Sequence, residues 1–140
     1  MQVKQVATEA EQKQAYQVRN TVFVEEQNVP AELEIDDLEE KAVHFVGYEN
    51  EKPVAASRLR FVDSYGKLER ICVLKEYRGR SFGSQIIKEM EAAIRENGFQ
   101  KSKLNAQTHA EEFYKSLGYQ TVSGEFMDAG IPHVTMIKEL

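Results

Sequence analysis

The stretch Val73–Ser84, "VLKEYRGRSFGS", decides how this chain is to be read. A segment of alternating period, "LERICVL", runs into it. A segment of helical period, "SQIIKEMEAAIRENG", leaves it. Between them stand Gly79 and Gly83 with Arg78 and Arg80. A turn needs one glycine, whereas a site for an anion uses all four residues. A helix starting at Ser81 or Phe82 presents unpaired N–H groups and the positive end of its dipole. The glycines let a ligand approach the backbone closely. From Glu69 to Arg80, four bases (Arg70, Lys75, Arg78, Arg80) stand against two acids (Glu69, Glu76), so the local charge is 4 − 2 = +2. The whole chain carries −5. This is the physics of a pyrophosphate cradle. It is neither a P-loop, since no Gly-Lys-Ser/Thr follows, nor the dinucleotide GxGxxG. A solvated turn with a chance pair of arginines accounts for the same residues.

The elements around the turn follow from periodicity and caps. "QVKQVA" alternates as a first strand. Thr8 and Glu11 form a capping box for a helix reaching about Val24, with Ala15, Val18 and Val22 inward. Pro30 and an acidic run make a loop. "AVHFVGYE", "VAASRLRFV" and "LERICVL" read as an antiparallel meander turned by "ENEKP" and "DSYGK". Ile86, Ile87, Met90, Ala93 and Ile94 mark the inner face of the next helix, which Gly98 caps. "SKLNAQ" is a strand. "THAEEFYKSLG" is a second helix with Thr108 as N-cap, Glu111 completing a capping box and Gly118 past its end. "YQTVSGEF" and "HVTMIKEL" close the sheet around the turn "MDAGIP". The order predicts one α+β domain over residues 1–140, a mixed central sheet flanked by helices.

Composition narrows the function. With 140 residues, 41% hydrophobic and 29% charged, the chain suits one folded domain. No apolar run reaches bilayer length. "MQVKQVATEAEQ" lacks the basic and apolar regions of a signal peptide, so a cytoplasmic protein is expected. Cys72 is the sole cysteine, which excludes an internal disulfide and a multi-cysteine zinc site, and no metal is expected. The acidic balance of 23 acids to 18 bases argues against nucleic-acid binding, and no membrane partner is indicated. Glu32, Glu34, Asp36, Asp37, Glu39 and Glu40 crowd one stretch. They read either as a solvated face or as a surface attracting a cationic substrate.

"EYRGRSFGSQII" after a strand resembles the acyl-CoA loop of the GNAT superfamily of N-acetyltransferases. That loop reads Arg/Gln-x-x-Gly-x-Gly/Ala and binds the pyrophosphate of coenzyme A. Arg78 and Gly83 match its ends, and Ser81 stands where the first glycine is usual. "AQTHAEEFYKSLGY" resembles a second family segment: Ala110, Phe113, Tyr114, Gly118 and Tyr119 match, and Gln107 replaces the usual asparagine. The element order is also the superfamily's. "RNTVFVEEQNVP", "EIDDLEEKAVH", "AQTHAEEFY" and "GIPHVTM" resemble its ElaA-like branch. The resemblance implies an enzyme moving an acetyl group from acetyl-CoA to a primary amine of a small molecule or peptide. It implies cofactor contacts from Ile71, Cys72, Val73, Arg78, Gly79, Arg80, Ser81, Phe82, Gly83, Ser84 and Gln107.

That chemistry sets requirements. An amine with a pKa of about 10.4 costs roughly 4.6 kcal/mol to deprotonate at pH 7. The site needs a proton acceptor, a donor for the developing oxyanion and an acid for the departing thiolate. By resemblance the acid is Tyr114 and the oxyanion donor a backbone N–H at Val73. Glu69 is the candidate base, because period-two alternation places it on the face of Ile71 and Val73, and His44 and His133 are the alternatives. Glu26, His44 and His133 are candidates for substrate contact. Cys72 has no identifiable partner histidine and reads as a buried small residue. The acidic run predicts a cationic acceptor, and a homodimer stays open. The competing class is a non-catalytic CoA or acyl-CoA binding sensor or interaction module.

Overall fold

The computed structural model describes residues Met1–Leu140. Strand β1 (Gln2–Gln5) leads to helix α1 (Glu9–Arg19), whose capping box is formed: Glu11 N–H donates to Thr8 Oγ1, and the Glu11 carboxylate accepts from Thr8 N–H. The helix does not stop near Val24. It widens into a π-helical segment, Asn20–Glu26, closed by Gln27 N–H donating to the Val22 carbonyl. A short helix α2 (Ala31–Glu34) and a 3₁₀ turn (Glu39–Lys41) bridge to the meander β2 (Val43–Glu49), β3 (Lys52–Val62) and β4 (Tyr65–Val73). Helix α3 (Phe82–Glu96), β5 (Lys101–Gln107), helix α4 (Glu111–Ser116), and strands β6 (Gln120–Thr121), β7 (Phe126–Asp128) and β8 (Ile131–Glu139) complete the chain. The sheet order is β1-β2-β3-β4-β5-β8-β6, with β7 on β8, and only β4 and β5 run parallel. This is the expected mixed sheet.

Two apolar layers sandwich the sheet. On one face Ile86, Ile87, Met90 and Ile94 of α3 pack against Phe45, Leu59, Leu68, Leu104 and Met136. On the other, Ala15, Val18 and Val22 pack against Val46, Ala56 and Cys72. Each large side chain so buried contributes about 1.5–3 kcal/mol. Both stripes are those the helical spacing predicts.

The second half of the chain departs from expectation. Thr108 opens a 3₁₀ turn (Thr108–Ala110) and caps nothing; α4 follows with Ala110 at its N-cap and no side-chain cap bond. Glu111 instead accepts a short hydrogen bond from the Thr121 hydroxyl, tying α4 to β6. The closing hairpin turns more tightly than "MDAGIP", since Asp128 pairs with Ile131 around Ala129 and Gly130.

One irregularity matters for function. Ala56 pairs with Cys72, yet Arg58 pairs with Glu69, so Arg70 and Ile71 together oppose Ser57. This β-bulge holds Arg70 at φ 57. An extra residue reverses the alternation of side chains. Ile71 and Val73 pack with the α3-side core, while Cys72 belongs to the α1 side. Glu69 lies on the α1 side with Arg58 and Lys67. The expectation that Glu69 shares a face with Ile71 and Val73 is therefore wrong, because period two does not survive a bulge.

Candidate active site

Strands β4 and β5 pair only from Gly66 with Ser102 to Leu68 with Leu104. Beyond that they part, and a cleft of about 1520 Å³ opens between them. Leu74 N–H donates to the Val54 carbonyl at 2.8 Å. Antiparallel alternation then turns the peptide groups of Val73 away from β3 and into the gap. The Val73 carbonyl accepts from Arg78 Nε at 3.0 Å, in keeping with that direction. Its N–H is the donor that the opened edge offers.

The loop from Arg78 to Ser84 forms one end of the cleft. Gly79 has φ 79 and Ser81 has φ 65. The left-handed turn at Ser81 costs an L residue about 1–2 kcal/mol, which explains a preference for glycine there. No N–H from Gly79 to Ser84 bonds within the chain, and all of these residues except Arg80 line the cleft. The two arginines differ from expectation. Arg78 grips Glu26 with two bonds of 2.7 Å as well as the Val73 carbonyl. Its charge is spent bracing the loop, and Glu26 is spent with it. Arg80 lies over the Tyr77 ring and has no carboxylate partner. At Gly83 a methyl group would only touch Phe113, at 3.5 Å. Gly83→Val should therefore fold normally yet raise the dissociation constant for coenzyme A about tenfold or more, since the branched side chain covers the N–H row. Unchanged affinity by calorimetry would contradict this.

Tyr114 lines the same cleft from α4, edge-on to Phe113 and Tyr119. Its hydroxyl has no partner in the chain and is not a buried orphan, so it opens to the cleft. Burial, then the nearby Cys72, pushes its pKa up to about 12. Cys72 is buried with its Sγ 3.7 Å from the Ala56 carbonyl, and burial pushes it to about 12 as well. A thiol held so far from ionisation is no nucleophile. Gln107 links β5 to the π-helical segment through Gln27 at 2.8 Å and meets His109 Nε2 at 2.6 Å. His133 faces the cleft; the Ile131 carbonyl 2.7 Å from its Nδ1 fixes the proton there and leaves Nε2 as an acceptor. His44 is not brought to the cleft. It is buried beside Tyr16, with Nε2 2.9 Å from the Glu39 carbonyl, and borders a separate pocket of about 380 Å³.

The acidic run divides in two. Glu34, Asp36 and Glu39 are bound to arginines, and only Glu32, Asp37 and Glu40 stay exposed. Arg19, wholly buried, pairs with Glu34 at 3.1 Å and Glu39 at 2.7 Å. Arg58 takes Asp36 at 2.7 Å, Glu39 at 2.9 Å and Glu69 at 2.8 Å. Arg70 reaches from the bulge to Glu34 at 2.9 Å. Glu69 also holds Arg60 at 2.8 Å and Lys67 at 3.4 Å. Burial works against its charge, but the Arg60 hydrogen bonds and the surrounding cations prevail and hold its pKa at about 2. The signal missed in the sequence was Arg19 itself, a charge on the apolar stripe of Ala15, Val18 and Val22.

Residues 5–140 match the acetyltransferase (GNAT) domain model. The chain belongs to the GNAT acetyltransferase family. This GNAT domain is 54% identical over 132 residues to the N-acetyltransferase YjcF of Bacillus subtilis (strain 168), covering 94% of each. It is 34% identical over 131 residues to ElaA of Escherichia coli (strain K12), covering 89% of this chain and 84% of ElaA. The crystal structure of Escherichia coli ElaA matches with TM-score 0.87 at 25% identity, over 99% of both chains. An aminoglycoside 6'-N-acetyltransferase complexed with coenzyme A shares the fold, with TM-score 0.79 at 15% identity and 99% and 97% covered. As a GNAT domain the chain is an acyltransferase, and no helix in it is long and apolar enough to cross a membrane.

Proposed function

We propose that this GNAT domain transfers the acetyl group of acetyl-CoA to a primary amine in the cytoplasm. The observation that carries this is the run of unbonded N–H groups from Gly79 to Ser84, opening onto a cleft that also holds the Val73 N–H and the Tyr114 hydroxyl. The residues fit the cofactor. The N–H run suits a pyrophosphate, and the stretch of β4 beyond Leu68, which β5 leaves unpaired, suits a pantetheine arm. Acetyl-CoA supplies the thioester that the amine attacks.

The chain's own groups then divide the work. Val73 N–H donates to the carbonyl oxygen as charge gathers there. Tyr114, protonated throughout the working range, gives its proton to the leaving sulfur. Glu69 is a poor base: it is spent on Arg58, Arg60 and Lys67, and its pKa of about 2 leaves it little affinity for a proton. His133 Nε2, unbonded and in the cleft, takes the amine's proton directly or through water. A CoA-binding module without chemistry would need no proton donor facing the thioester, and Tyr114 therefore favours an enzyme.

The test is thiol release from acetyl-CoA by purified protein over a broad panel of primary amines, beside thermal unfolding with acetyl-CoA. Ligand at 100 times its dissociation constant should stabilise by about 2.7 kcal/mol. His133→Gln should keep that stabilisation while lowering kcat. Stabilisation with no release for any amine would leave the binding-module reading standing and overturn this one.

A further inference from the structure

The sheet aligns three cations side by side. Arg60 pairs in register with Lys67 across β3 and β4, and Lys67 pairs with Lys103 across β4 and β5. All three point to the α1 face. Lys67 and Arg60 reach Glu69 there, and Lys103 alternates with Leu104, which belongs to the α3-side core. The Lys103 ammonium rests over the Tyr65 ring, 4.9 Å from its centroid, without a carboxylate partner. Neighbouring strands lie about 4.8 Å apart, and like charges directly opposite destabilise a sheet. Glu69 is the one acid within the row, and Arg58 shares it. Cations of the surrounding network (Arg19, Arg58, Arg60, Lys67, Arg70) outnumber its acids (Glu34, Asp36, Glu39, Glu69) by 5 − 4 = 1, and Lys103 makes the surplus two. Arg19, Arg58 and Arg70 are matched by Glu34, Asp36 and Glu39, which leaves Arg60, Lys67 and Lys103 against Glu69 alone, so the surplus of 3 − 1 = 2 sits there.

The row lies one pair before β4 and β5 part at Leu68 and Leu104, and Arg60 and Lys67 line the cleft that opens there. The cofactor loop and Tyr114 lie on the α3 side, and the row lies on the other. We propose that Arg60, Lys67 and Lys103 dock an anionic group, carboxylate or phosphate, carried by the acceptor amine. This rests on the acetyl-transfer reading and names its substrate class. It replaces the cationic acceptor expected from an acidic run whose central carboxylates are already paired. The Arg60 guanidinium and the Lys67 ammonium lie against Glu69, four residues before Val73, which is at most about 13 Å along the strand at 3.3 Å per residue and less across the bulge, so the anion and the amine sit at opposite ends of an acceptor that bridges this distance with its contacts at each end. Glu69 aims the Arg60 guanidinium and leaves its remaining N–H groups for the ligand.

The experiment compares aminohexanoate, aminohexanamide, hexanediamine and aminohexyl phosphate as acceptors, for wild type, Lys67→Gln and Lys103→Gln. The anionic acceptors should exceed the amide and the diamine in kcat/KM by about tenfold or more at low salt, and the gap should narrow as salt screens it. Each substitution should shrink the preference for anion over amide through KM. The better of carboxylate and phosphate identifies the natural group. An amide or diamine as good as the acids, or an equal loss for charged and neutral acceptors in Lys103→Gln, overturns the proposal. If no amine is acetylated, calorimetry with adipate on the CoA complex decides it. Binding that Lys67→Gln and Lys103→Gln abolish supports the row even though acetyl transfer has failed, and no binding by wild type refutes it.

Discussion

Tyr114→Phe should lower kcat by roughly 10²–10⁴-fold, the usual scale for loss of a positioned general acid. The substitution removes one oxygen and keeps the ring that packs against Phe113 and Tyr119. Fold and acetyl-CoA affinity should therefore stay close to wild type. The hydroxyl bonds to nothing in the chain, so its removal leaves no orphaned partner to confuse the result. With its pKa at about 12, raised mainly by burial, the group is a proton donor at every working pH and never a base. The measurement is kcat at saturating amine, where chemistry limits the rate, beside the dissociation constant for acetyl-CoA. Near-normal turnover would remove Tyr114 from the mechanism.

Arg19→Met should destabilise the domain by roughly 3–5 kcal/mol, because it strips a partner from charges already out of water. For a chain of this size that is a fall in Tm of roughly 10–20 °C. Glu34 and Glu39, both buried, lose their bonds to the guanidinium, and Glu34 also loses the link that holds α2 against α1. Acid acts on the same network. Glu39 and Glu69 ordinarily titrate near 4.5 and are held at about 2, Glu39 by Arg19 first and then Arg58 against the effect of burial. A depressed folded-state pKa contributes stability that is present above the unfolded value and lost as pH falls toward the folded one. Stability should therefore hold above about pH 5 and drop as pH falls between about 4.5 and 2. Calorimetric unfolding across that range checks it, with a shallower acid slope in Arg19→Met. A variant as stable as wild type would mean that the paired charges were held at no net gain.

Helices, caps and the glycine-bearing turn before α3 were legible in the residues because their determinants are local. Ala15, Val18 and Val22, or Ile86, Met90 and Ile94, declare a buried face by spacing alone, whatever they pack against. Gly98 and Gly118 end their helices with φ 83 and φ 99, as their positions predicted. Even the departure at Ser81 was visible, although its left-handed backbone was not. Thr108 shows the limit of the same reasoning: a capping pattern cannot tell that Glu111 will be drawn to Thr121.

What the sequence determined by itself was the order of elements, their inward faces and the strand-to-helix turn with its glycines between Arg78 and Ser84. Only the tertiary structure decided which charges meet. The bulge at Arg70 turned Glu69 away from Ile71 and Val73, and the register of β4 on β5 brought Lys67 beside Lys103. Arg19, Arg58 and Arg70 drew in the acids that composition alone left facing solvent. Periodicity is fixed by neighbours along the chain, whereas register and ion pairing are fixed by partners far away in it, and those partners are chosen only when the sheet closes.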